Sequence, residues 1–112
     1  MKPGEVDPGR VILTLLEDVN SWKGEDILPE EHISMLNEAE GLLLEAQKFH
    51  KRYQTSKATL EAKQRNRSPQ TMVVRYQREA QDNAYRRDNF LSQAEGIIGE
   101  IIAQIEKMAD ES

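Results

Sequence analysis

Histidine is the side chain best suited to moving protons near neutral pH, and this chain has two, His32 and His50. They are 18 positions apart. On one helix that spacing is five turns, so the rings would share a face about 27 Å apart and could not hold one metal. Neither belongs to a Glu-x-x-His pair of the di-iron bundle type, because Gln47 stands three residues before His50. The absence of cysteine excludes thiolate nucleophiles, disulfides and cysteine-based metal sites. No glycine-rich phosphate loop follows a strand, and no serine is marked as a nucleophile. The expectation is a protein that is not an enzyme and needs neither cofactor nor metal, with His32 and His50 at the surface or its boundary.

The chemistry that remains is charge. Lys57, Lys63, Arg65, Arg67, Arg75 and Arg78 crowd around the stretch "NRSPQT" at residues 66–71, opposed there by Glu61 and Glu79 alone. From Lys48 to Asp88 the basic residues outnumber the acidic ones by 11 to 4, although the whole chain carries −5. The central segment is thus about +7 and the remainder about −12. The plainest account is the solvated face that any long helix needs. Beyond it, these six cations form a candidate partner-binding site for an acidic protein surface, including the acidic half of a second copy. Nucleic acid is the alternative partner. Phosphate neutralisation needs only a basic patch, and Tyr76 and Tyr85 lie among the arginines where bases could stack. An overall pI near 5.1 argues against a dedicated nucleic-acid binder. Both tyrosines also border seam positions, where they would cover the flank of a hairpin. An anionic membrane ranks last, since the basic region lacks bulky exposed apolar residues.

These cations need a scaffold, and the apolar spacing supplies one. Asp7 as cap and Pro8 at the first position open a helix over 8–23 that carries Val11, Ile12, Leu15, Leu16, Val19 and Trp22 and stops at Gly24. A second helix, 29–65, follows "EDIL" with Pro29 first and Glu30 and Glu31 at the positive end of its dipole. Its seam runs Met35, Ala39, Leu42, Ala46, Phe49, Tyr53, Ser56, Leu60 in alternating steps of four and three, as in a coiled coil. A third helix, 69–108, opens at Ser68-Pro69 and repeats the pattern from Val73 through Gln77, Ala80, Ala84, Arg87, Leu91, Ala94, Ile98, Ile101 and Ile105 to Met108. Gly96 and Gly99 weaken it locally; they either admit a close helix or are tolerated surface glycines.

"NRSPQT" is therefore first a helix-to-helix turn, with Asn66 in the left-handed conformation. A short connection makes its neighbours antiparallel. Arms of this length give a hairpin roughly 55–60 Å long. A turn centred near Arg67 pairs Phe49 with Ala84, Tyr53 with Ala80, Leu42 with Leu91 and Met35 with Ile98, so that large meets small at the aromatic positions. Ser56, Lys63, Gln77 and Arg87 interrupt the seam in the distal arms. At the other end Ile97, Ile101, Ile102 and Ile105 span more than one face, which makes them candidates for self-association. A twofold dimer forming a four-helix bundle covers both weaknesses, and the charge polarity favours antiparallel copies.

At 112 residues the chain is one domain with a modest core. The opening "MKPGEVDPGR" lacks the apolar stretch of a signal peptide, and no run approaches the roughly 20 apolar residues of a membrane span; a cytoplasmic location is the expectation. Trp22-Lys23-Gly24 matches in letters the W-x-G turn of small secreted helical hairpins. There the triplet joins the two long helices. Here it ends the short first one, so Trp22 is assigned to the base core. The reading is an all-α, coiled-coil-like hairpin with a short N-terminal helix packed at its base, working through helix–helix contacts and a basic tip.

Overall fold

The computed structural model describes residues 7–25 and 28–111. Within them lie three helices, α1 (Pro8–Lys23), α2 (Glu30–Arg65) and α3 (Gln70–Glu111). The long pair packs as an antiparallel hairpin, with α1 against the base half of α2. The rod measures 65 × 29 × 18 Å, close to the length the helical rise predicts. Of the "EDIL" connection, Glu25 and Leu28 fall within the described residues.

Local chemistry sets the ends. Asp7 caps α1 by accepting from the Gly9 amide at 3.1 Å. Pro29 stands one position earlier than expected, as the cap of α2 in extended backbone (φ −58°, ψ 149°). Its carbonyl accepts from the Ile33 amide, and the Pro69 carbonyl likewise accepts from Val73, so Pro69 takes the capping place expected of Ser68. Either position suits proline, because the first amides of a helix have no intrahelical acceptor.

The turn differs from expectation in which residue is left-handed. Asn66 has φ −86°, and Arg67 takes the positive φ of 53°. The Ser68 amide donates to the Lys63 carbonyl at 3.0 Å and the Arg67 amide to Gln64 at 3.3 Å. Those two bonds are the Schellman arrangement, which requires the left-handed residue one place beyond the cap.

The core concentrates at the base, where all three helices meet. α1 contributes Val19, α2 contributes Leu36, Ala39 and Leu43, and α3 contributes Ala94, Ile98 and Ile101. Leu36 and Leu43 are fully buried, worth about 1.5–3 kcal/mol each. In this half the buried stripe of α2 runs one residue past the expected Met35 and Leu42, which are half-buried. The reason is α1: a helix covered by two neighbours buries the ridge between them. Trp22 packs against this core, as expected. Distally the core thins to Phe49, Ser56 and Ala80.

The expected cross-arm pairing is displaced. Phe49 stacks on Phe90 with ring centroids 5.7 Å apart, not on Ala84, and Tyr53 lies under the Arg87 guanidinium at 5.0 Å, not opposite Ala80. Side chains on a helix lean toward its N-terminus. In an antiparallel pair the two sets lean in opposite directions along the rod. Residues that touch therefore have higher numbers on both helices than residues whose backbones are level.

Candidate functional site

The tip gathers its cations as expected. Lys57, Arg65, Arg67, Arg75 and Arg78 are exposed, and Lys63 is half-buried. Arg75 pairs loosely with Glu79 at 3.8 Å, and Lys57 hovers 6.0 Å above the Tyr53 ring. No other ion pair engages these six among the described residues. Exposed pairs contribute at most about 1 kcal/mol, so the charge stands largely free of the fold. The two tyrosines part company: Tyr76 is half-buried on the flank, whereas Tyr85 is 71% exposed and does not cover it.

A second cationic group sits midway. Lys48, Arg52 and Arg86 surround Phe49 at 6.0, 5.1 and 5.6 Å from the ring centroid. Arg86 also pairs with Asp82 at 3.1 Å.

Arg87 and Ser56 do not break the seam; they are buried in it. Arg87 is 7% exposed. Its Nε donates to Asp88 Oδ1 at 2.9 Å, its Nη1 meets His50 Nδ1 at 3.2 Å, and its guanidinium lies over Tyr53. A buried charge needs this much compensation. Ser56 accepts from the half-buried Asn83 Nδ2 at 3.2 Å, which gives the buried hydroxyl its partner. Neither partner was legible in the sequence, because cross-arm pairing depends on the displaced register.

The histidines are placed differently from each other. His50 stands at the boundary, as expected, with its pKa lowered first by burial and then by Arg87, against opposing pulls from Asp7 and Asp88. His32 departs from the expectation of a surface or boundary residue: it is 4% exposed, and its Nε2 lies 2.8 Å from Gln104 Oε1. The signal was present. Leu36, Leu43 and Ala39 define a buried stripe, and one helical turn back from Leu36 is His32. Among the described residues, no group of three or more histidines and carboxylates is placed to hold a metal, and no helix is long and apolar enough to cross a membrane.

At the base, the four isoleucines separate. Ile101 is 1% exposed inside the chain's own core, which removes it from the self-association surface. Ile97 is half-buried, while Ile102 and Ile105 are 41% and 40% exposed. With Trp22, Leu28 and Leu36, the last two line a cavity of about 300 Å³ that also meets Glu25 and Glu106. That is the small end of the ligand-pocket range, about 300–1,000 Å³.

Comparison of the chain with protein-family profiles, curated protein sequences and solved structures finds no match.

Proposed function

We propose that this chain is a non-catalytic assembly protein: it self-associates through helix packing and offers its basic tip to an acidic, helical partner. The observation that carries this reading is the separation of duties along the rod. The base core is used internally, while five of the six tip cations are exposed and only one has an ion-pair partner among the described residues. Apolar side chains left partly or fully exposed on the hairpin, Met35, Leu42, Ile97, Ile102 and Ile105, support self-association. The test is sedimentation at micromolar concentration. Self-association above the 12.9 kDa monomer mass is expected; a monomer at every concentration overturns it.

A second reading is nucleic-acid binding, favoured by one observation: Tyr85 is 71% exposed beside Arg86, as a stacking platform would be. Single-stranded DNA or RNA at about 50 mM salt decides between them, since phosphate contacts are strongest there and weaken steeply by about 200 mM. Binding that vanishes when Arg65, Arg67, Arg75 and Arg78 are changed to Gln supports the second reading. No binding at the low salt removes it.

A further inference from the structure

α1 covers one flank of the hairpin and leaves the other bare. It meets α2 through Glu40 and His50. Met35, Leu42 and Phe49, spaced by sevens and so in one stripe, lie on a different face. On α3, Phe90 and Ile97 share the same spacing, and the Phe49–Phe90 stack joins the two stripes. All but Phe49 are half-buried. The result is an apolar strip along two packed helices with no third helix above it.

The charges beside this strip are ordered. On α2 the next seven-residue row reads Glu31, Glu38, Glu45, Arg52. Alongside the strip the corresponding row of α3 reads Arg86, Gln93, Glu100 from tip to base, with Glu79 and Lys107 continuing it past the two ends of the strip. Acids therefore border the strip on the base side of the aromatic stack, and arginines border it at and beyond the stack.

We propose that a second copy of this chain lies antiparallel across the bare flank, related by a twofold axis near Leu42. This rests on the self-association reading and names its surface. A parallel twofold would instead lay α2 on α3, with Glu38 at Glu100 and Arg52 at Arg86 of the second copy, which like-charge repulsion opposes. The antiparallel twofold brings Arg52 toward Glu31 of the second copy and Arg86 toward Glu100, four attractive contacts that outnumber the two approaches of Glu38 to Glu45 beside the axis. It also lays α2 on α2 and α3 on α3, completing a four-helix bundle. A twofold contact closes on itself, so assembly stops at the dimer.

The chain has no cysteine, so a single introduced thiol reports its own neighbourhood. Leu42→Cys at the axis is expected to form disulfide-linked dimers under mild oxidation, and Glu38→Cys mixed with Glu45→Cys, which the twofold brings level, is expected to cross-link as a second pair. Ile105→Cys, at the base cavity, is expected not to. The charge test is a swap. Arg52→Glu with Arg86→Glu in one chain, and Glu31→Arg with Glu100→Arg in another, should each weaken homodimers by at least about tenfold; mixing the two should restore a dimer. Helicity by circular dichroism confirms that each variant folds. Dimers that cross-link only through Ile105→Cys overturn this surface while leaving self-association standing. A wild-type monomer at micromolar concentration overturns both.

Discussion

Arg87 Nη1 lies 3.2 Å from Nδ1 of His50, and the His50 ring in turn stacks on Tyr53. Arginine has no acceptor and no neutral form at ordinary pH, so the contact requires His50 to be neutral with its proton on Nε2. That nitrogen faces α1: a Cβ built on Gly9 would come within 2.8 Å of it. The pair thus joins the buried cation of α3 to the first turn of α1.

Stability is expected to fall with pH through this pair. The folded pKa of His50 is below its ordinary 6.5, through burial and then Arg87. Above 6.5 both folded and unfolded chains are neutral there, and His50 contributes nothing. As pH drops below 6.5 the unfolded chain takes up the proton first, so folding loses free energy until the folded His50 also titrates. Asp7, Arg10 and Lys51 near the ring and Asp88 beside Arg87 modulate the effect. Thermal melts between pH 7 and pH 5 should show this decline, and His50→Gln should flatten it. Equal slopes in both proteins would exclude the assignment.

The base core should be sensitive to truncation in proportion to burial. Ile98 and Ile101 are 5% and 1% exposed, and replacing either with Ala is expected to cost about 2–4 kcal/mol. Leu91 is half-buried and should cost less. Urea denaturation measures all three; a loss below about 1 kcal/mol at both isoleucines contradicts the core described above.

At the turn, Arg67 pays the steric cost of a positive φ that glycine would not. Arg67→Gly is expected to leave stability unchanged or raise it by up to about 1–2 kcal/mol, whereas Arg67→Val should lower it. Loss of stability in the glycine variant would mean that the arginine side chain itself holds the turn.

Gly96 and Gly99 are exposed, and a Cβ added at either meets nothing within 4 Å. Gly96→Ala and Gly99→Ala are expected to stabilise α3 by up to about 1 kcal/mol each, with no effect on the dimer, since neither belongs to the apolar strip. A drop in dimer affinity would place a second helix against them.

Much of the architecture was legible in the chain alone. The apolar spacing, the prolines at 8, 29 and 69, and the glycine at 24 determine three helices to within a residue at every end but the last, where α3 runs three residues past the expected 108 to Glu111, because these signals act between residues a turn apart. The polarity of charge follows from the same one-dimensional order. What only the tertiary structure decided is which side chains meet. Phe49 meets Phe90, Ser56 meets Asn83, and Arg87 meets His50, because the opposed lean of side chains on antiparallel helices shifts contacts past the level of the backbones. His32 became a buried residue, and Ile101 a core residue instead of a docking one, because a third helix added a second covered side to the base. Such pairings depend on the geometry of packed helices, which acts across long separations in sequence.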